Sequence, residues 1–254
     1  MQYGISNLSI IPMRNETADQ SEMINQIIFG EHFKIMECRK KWSRIRLSHD
    51  NYEGWICNKQ WLEITEDEYT QLDKDISTIT IDILDIITKE NHQPIVIGSI
   101  LPNYKSGHAL INNKMYQFDG HTTPGFTQKK KLIENALVYL NAPYLWGGRS
   151  PLGIDCSGFT QMVYRLQGIN LPRDAFQQAD IGTTLSFIEE SEPGDLAFFD
   201  NKEGKIIHVG IILEENHIIH ASGKVRIDRI DQQGIFNSEI GAHTYKLRLI
   251  KSIT

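Results

Sequence analysis

The sequence predicts an α+β protein, with small antiparallel β-barrels followed by a domain that sets helices before an antiparallel sheet. Three observations predict it. Up to about Ile64, short β-prone runs alternate apolar and polar residues between polar turns. After Thr127 the apolar period changes from that of a strand to that of a helix, twice. From Asp195 onward β-prone runs return. A length of 254 residues fits two or three small domains. The expected division is a first β domain over 1–64, a second over 65–126 and an α+β domain over 127–254.

The first domain rests on Ser9–Met13, Phe33–Glu37, Trp42–Leu47 and Gly54–Cys57, whose period-two alternation suits a small barrel. Between them Ser21–Gly30, with Met23, Ile24, Ile27 and Ile28, reads as a long loop or one helical turn. Residues 65 to 75, rich in Glu, Asp and Gln, read as a linker or short helix. The second domain rests on Ile79–Leu84, Pro94–Ile100 and His108–Ile111, with a turn at Asn112-Asn113 before Met115–Phe118. Pro124-Gly125 closes it. Leu132, Ile133, Ala136, Leu137 and Leu140 then recur at helical spacing, and Ala142-Pro143 ends that helix. A tight loop through Gly147-Gly148 and Pro151–Gly153 precedes a second helix from about Cys156. Its stripe is Phe159, Met162, Val163 and Leu166, with Gly168 at the C-terminal cap. Strands at Asp195–Phe199, Ile206–Leu213, His217–Ser222 and Tyr245–Lys251 complete the domain.

Composition excludes several classes. With 40% hydrophobic and 23% charged residues the chain is not disordered. No stretch approaches the ~20 apolar residues of a membrane-spanning helix, so no membrane partner is expected. A net charge of −6 argues against a nucleic-acid partner. The one basic run, Lys129–Lys131, is too short for a polybasic anchor and reads as a solvated helix start. The N-terminal residues lack a basic segment followed by an apolar one, so no secretory signal is expected. Three cysteines without regular spacing suit a reducing cytoplasm better than a disulfide framework.

The chemistry concentrates at Gly153-Ile154-Asp155-Cys156-Ser157-Gly158. Asp155 is a good N-cap, which puts Cys156 in a first turn where the helix dipole favours a thiolate. Alone, the motif serves equally for a nucleophile or for a capped helix that starts with a buried cysteine. The hairpin downstream shifts the balance. If Glu214–Asn216 is a three-residue loop, Leu213 pairs with His217 and Gly210 faces His220, leaving open space there. His208 and His220 then become diagonal cross-strand neighbours ~7–8 Å apart at the backbone. A thiol needs a base, and the base needs a third group to fix its tautomer, so His208 is the expected base and His220 the orienting group. Cys156, His208 and His220 could instead hold zinc with an open position. No second cysteine or carboxylate support accompanies them, so no metal is expected. The other histidines show no spacing logic.

Together, Tyr144–Gly148, Asp155–Phe159, His208–Gly210 and Ile219–Ala221 resemble the NlpC/P60 cysteine peptidases in order and spacing over residues 128 to 254. The resemblance implies a papain-like core acting on bacterial cell-wall peptides. It makes Cys156 the nucleophile, His208 the base and His220 the third polar residue. Tyr144 would assist the Cys156 backbone N–H at the oxyanion, and Trp146, Asp155 and Ser157 would line the pocket for a D-glutamyl residue. The first half resembles bacterial SH3 (SH3b) domains through Tyr52–Ile56 and Phe29–Glu31. Two such domains before an NlpC/P60 domain look like the γ-D-glutamyl-L-diamino acid endopeptidases of murein peptide recycling. In those relatives the first SH3b domain closes one end of the cleft and imposes a free N-terminal L-alanine. Glu22, Tyr52 and Asp174 are the expected partners of that ammonium, with Glu16 or Glu31 as alternatives to Glu22, and Ala175 departs from the small hydroxyl residue common at its position.

The reading is therefore a cytoplasmic cysteine endopeptidase that needs no cofactor. It would cut L-Ala-γ-D-Glu-diaminopimelate or -Lys peptides at the γ-D-glutamyl bond. The alternatives are a papain-like amidase or acyltransferase, or a peptidoglycan-binding protein with weak catalysis. Oligomeric state is open.

Overall fold

The structure, a computed structural model, describes residues 1–75, 77–124 and 129–253, with Lys129 and Lys130 described by backbone alone. The expected boundary at 126/127, Gly125 and the side chains that begin the basic run lie outside the described residues. The chain divides into two compact units. One comprises residues 1–126, 146–151 and 168–170, and the other 127–145, 152–167 and 171–254. No helix among the described residues is long and apolar enough to cross a membrane.

The N-terminal unit begins with strands β1 (Gln2–Ile5), β2 (Ile10–Arg14), β3 (Met23–Ile28), β4 (His32–Cys38), β5 (Trp42–Leu47), β6 (Glu53–Cys57) and β7 (Leu62–Ile64). Among the described residues they form one sheet in the order β3-β2-β6-β5-β4-β1-β7. Alternation in β5 and β6 sends Ile45, Leu47 and Ile56 into a core with Ile11, Met13, Ile27 and Phe33. β3 corrects the expected loop or helical turn. Its last four residues are all buried, so it lacks the period-two signature of a half-exposed strand. Helix α1 (Glu66–Lys74) follows, capped by Thr65, whose hydroxyl accepts from the Glu68 amide.

The second β block holds β8 (Thr78–Thr80), β9 (Leu84–Thr88), β10 (His92–Val96), β11 (Ile100–Leu101), β12 (His108–Ile111), β13 (Lys114–Phe118) and β14 (Thr122–Thr123). They form two sheets, β10-β9-β13-β12 and β11-β8-β14. Asn112 and Asn113 adopt φ of 50° and 58° between β12 and β13, the double left-handed turn that Asn tolerates in tight hairpins. Tyr3, Ile5, Phe29, Ile64, Tyr69 and Leu72 share one apolar cluster with Ile87, Ile95, Tyr116 and Phe118 of this block. Residues 1–64 and 65–126 thus bury apolar surface against each other within one unit. Strand β15 (Arg149–Ser150) also belongs to it. The fully buried Arg149 guanidinium makes two 3.0 Å bonds to the equally buried Glu31 carboxylate.

The C-terminal unit contains α2 (Lys129–Val138), β16 (Gly153–Ile154), α3 (Cys156–Arg165), the one-turn α4 (Ala175–Gln178), β17 (Thr183–Leu185), β18 (Leu196–Asp200), β19 (Ile206–Leu213), β20 (His217–Ser222), β21 (Lys224–Asp231), β22 (Gly234–Asn237) and β23 (Ala242–Ser252). The sheet order among the described residues is β17-β23-β18-β19-β20-β21-β22, and β22 also pairs with β23, so the sheet closes on itself. Closure needs Gly234. Its φ is +136°, and a Cβ there would lie 1.8 Å from the Tyr245 carbonyl oxygen. The α3 stripe of Phe159, Met162, Val163 and Leu166 is buried as its spacing predicts. The helix ends at cap Leu166, two residues before Gly168, which takes φ +77°. Helix before antiparallel sheet is the expected α+β order.

Candidate active site

The site is built from α3, β19, β20 and β21 of the C-terminal unit. Asp155 caps α3, its Oδ1 accepting from the Gly158 amide at 2.7 Å. Arg173 braces that cap. Its Nη1 donates to Asp155 Oδ1 at 3.0 Å and to Ser157 Oγ at 2.9 Å, while its Nη2 donates to Asp155 Oδ2 at 2.5 Å. Asp155, Ser157 and Arg173 are all buried. The structure therefore employs Asp155 and Ser157, expected to line a pocket, in holding the start of the Cys156 helix.

Cys156 is the first residue of α3 and is 6% exposed. Burial pushes its thiol up to about 12, and the Asp155 charge adds to this. Backbone hydrogen bonds from Val209 and Ser157, with the Arg173 charge, favour the thiolate but do not prevail. The expectation of a dipole-stabilised thiolate is thus corrected, because desolvation of a buried sulfur outweighs the helix N-terminus. The contact with Val209 places the thiol beside the residue that follows His208.

β19 and β20 pair in the expected register, Leu213 with His217 and Gly210 with His220. Two residues along from Gly210, His208 meets His220 with Nε2 and Nδ1 2.8 Å apart. The space opposite His220 is filled, contrary to expectation. A Cβ at Gly210 would lie 2.9 Å from His220 Cβ and 2.8 Å from Ile218 Cδ1, so the glycine permits close approach of the strands. Both imidazoles are buried, and burial, with a smaller contribution from the adjoining His220 ring, holds His208 well below the ordinary histidine range.

Two further side chains complete the cluster, and the sequence reading missed both. Asp228 on β21 lies 2.9 Å from His220 Nε2, and Arg226 donates to its carboxylate at 2.7 and 2.9 Å. Tyr245 on β23 stacks on the His208 ring, with centroids 4.0 Å apart and planes 14° from parallel, and its hydroxyl lies 3.2 Å from Ser222 Oγ. The Lys224–Asp228 run alternates polar and apolar residues, a strand signal that would have set Asp228 across from the His220 strand. Nothing in the sequence pairs Tyr245 with His208, since their strands flank β18 from opposite sides in a strand order the chain does not reveal.

Tyr144 belongs to the same unit, its amide donating to the Gly223 carbonyl at 3.0 Å. Burial and the nearby Cys156 and Asp155 charges push its hydroxyl up, so it stays a proton donor. Asp174 stands beside Arg173 at the N-cap of α4. In the N-terminal unit, the indole N–H of the exposed Trp146 donates to Glu22 at 2.7 Å, and Tyr52 packs half-buried against the first barrel's core. Among the described residues no group of His, Cys, Asp and Glu is arranged to hold a metal ion. The facing nitrogens of His208 and His220 instead hydrogen-bond each other.

Comparison with known proteins identifies the class. Residues 141–243 match the NlpC/P60 family, and residues 13–60 match the bacterial dipeptidyl-peptidase SH3 domain. The chain carries an NlpC/P60 peptidase domain together with a bacterial SH3 domain. It is similar to two γ-D-glutamyl-L-lysine dipeptidyl-peptidases. The Bacillus subtilis (strain 168) protein is 29% identical over 77% of this chain and 71% of its own length. The Bacillus cereus (strain ATCC 10987) protein is 24% identical over 89% of this chain and 76% of its own. The crystal structure of an NlpC/P60 family protein from Bacillus cereus ATCC 10987 shares the fold, with a TM-score of 0.83 over 99% of each chain at 18% identity.

Proposed function

We propose that this peptidase is of the cysteine type and hydrolyses the γ-D-glutamyl–diamino acid bond of murein peptides with a free N-terminal L-alanine. The observation that carries the chemistry is the buried Cys156 at the head of α3, beside the strand of His208, whose ring is hydrogen-bonded to His220. Because burial disfavours both charged forms, the resting pair is thiol and neutral imidazole. As substrate binds, the thiol proton passes to His208 and the sulfur attacks the γ-carbonyl carbon. The oxyanion is met by the Tyr144 hydroxyl and the Cys156 backbone N–H. Collapse expels the diamino acid amine, which takes the proton back from His208. Water, activated by the same imidazole, then hydrolyses the thioester and frees Cys156.

The names of the two Bacillus relatives support the bond and the amino end, since a dipeptidyl-peptidase releases two residues from a free N-terminus. We place the activity in the cytoplasm, on soluble recycled peptides. This suits the three free thiols, Cys38, Cys57 and Cys156. Fractionation of producing cells checks the location.

The central test is incubation with L-Ala-γ-D-Glu-L-Lys, its diaminopimelate counterpart and their N-acetylated forms, read by mass spectrometry. Release of L-Ala-D-Glu from the free-amine peptides alone is expected, with no turnover by Cys156→Ala. Equal cleavage of the acetylated forms would remove the amine requirement. Turnover by Cys156→Ala would remove the thiol mechanism, and cleavage of neither peptide would shift the reading to acyl transfer or binding.

A further inference from the structure

We propose that Asp228 is a positioning residue that sets the protonation pattern of the two histidines and compensates the charge that forms on them. The inference rests on the reading of Cys156 and His208 as nucleophile and base. Asp228 receives His220 Nε2 at 2.9 Å, Arg226 Nε at 2.7 Å and Arg226 Nη2 at 2.9 Å, and Arg226 Nη1 is itself anchored by Glu239 at 3.0 Å. Burial pushes the Asp228 carboxyl up, but hydrogen bonds and charges from His220 and Arg226 hold it below the usual carboxylate range.

An ionised carboxylate only accepts hydrogen bonds. The proton in the Asp228–His220 contact therefore sits on His220 Nε2. Neutral His220 then presents a bare Nδ1, so the 2.8 Å contact with His208 is filled by the proton on His208 Nε2. That leaves His208 Nδ1 unprotonated, and in the proposed mechanism this is the nitrogen free to take the thiol proton. Without Asp228, His220 is free to carry its proton on Nδ1. His208 would then accept on Nε2, hold its own proton on Nδ1, and cease to be a base there.

The local sequence violates the burial pattern in the way a functional site does. In β21 the apolar Ile227 is 39% exposed while the charged Asp228 is 5% exposed. Burying a carboxylate costs more than burying an aliphatic side chain, so packing alone would favour the reverse. The other titratable and charged groups near the histidine pair are Tyr245 on β23, which touches both rings, Arg226 with Glu239, and, beyond Tyr245, Tyr144 with Cys156, Asp155 and Arg173. Among the described residues, Asp228 is the acidic group that bonds directly to a histidine of the pair.

The test begins with 15N NMR of the histidine ring nitrogens in Cys156→Ala protein, which needs no substrate. His208 is expected as the Nε2–H tautomer, and Asp228→Asn is expected to lose that single tautomer. In otherwise native enzyme, Asp228→Asn is expected to lower kcat at least about tenfold with little change in KM. The acid limb of its pH profile should move to lower pH, because the imidazolium loses its compensating negative charge. Asp228→Glu should recover part of the rate. His208 protonated at Nδ1 in the parent overturns the proposal. So does an Asp228→Asn enzyme that keeps the parent tautomer and pH profile and loses only thermal stability. If that variant does not fold, the parent spectrum decides. A wrong substrate assignment leaves the ring-nitrogen result standing, whereas a thiol-independent reaction fails at Cys156→Ala and not in the spectrum.

Discussion

The side chain with the most direct hold on the proposed base, apart from the histidine relay, is Tyr245. A neutral His208 ring stacked at 4.0 Å gains dispersion and a fixed plane. Once protonated, the same ring becomes a cation over an aromatic face, a contact worth about 0.5–2 kcal/mol. Tyr245→Phe keeps the face and should retain most activity. Tyr245→Leu removes it and should lower kcat by about two- to thirtyfold, the kinetic equivalent of that energy range. Steady-state kinetics of the two variants at saturating peptide check this. Equal losses would assign the effect to the hydroxyl and its Ser222 contact instead. At this scale the sequence was partly legible. Cys156 and the two histidines stand in motifs with local spacing. Asp228 carried its signal in a strand pattern, and Tyr245 carried none.

At the scale of elements, the start of α3 concentrates the most consequence in the fewest residues. Asp155 is at once the cap of the helix and the acceptor for both Arg173 terminal nitrogens. Loss of an ordinary N-cap costs ~1 kcal/mol. Leaving a buried arginine without its carboxylate costs ~3–5 kcal/mol. Asp155→Ala should therefore destabilise the protein by about the larger amount, measured by denaturant unfolding. Asp155→Ala with Arg173→Met should recover much of it, since the orphaned charge is removed. A loss near 1 kcal/mol in the single variant would show that Arg173 finds other partners. The elements legible beforehand were those with a clear period, such as α3, β5, β6 and the β19–β20 hairpin with its register. β3 was not, because burial over its last four residues erases alternation.

Over the whole molecule, the buried histidines set how stability responds to acid. In the N-terminal unit His32 is 7% exposed, and burial lowers it to about 4 against the partial offset of the Asp73 charge. In the C-terminal unit His208 is lowered well below 6.5. An unfolded chain binds protons on both residues near pH 6.5, whereas the folded one does not. Stability from these groups is therefore fully present above pH 6.5 and is lost as pH falls toward the folded values. For His32 the window runs from about 6.5 down to about 4, with a full effect on the order of 3 kcal/mol. Urea unfolding at pH 7.5, 5.5 and 4.5 should show this decline, and His32→Phe should flatten it. A flat profile in the parent would mean that His32 is protonated in the folded state.

The sequence alone determined the α+β order, the capped cysteine helix, the hairpin register and the pairing of His208 with His220. These depend on period, cap chemistry and turn length, all local properties of the chain. Only the tertiary structure decided the rest. It decided that the Cys156 thiol is pushed up despite its place at a helix N-terminus, because desolvation is a property of everything packed around the sulfur. It decided that Asp155 and Ser157 answer to a buried Arg173, because that arginine reaches α3 from another segment. It also decided that the histidine pair ends on Asp228, because β21 buries that carboxylate beside the His220 ring against the usual preference for burying its apolar neighbour, and that the pair lies under Tyr245, because β19 and β23 flank β18 in the sheet.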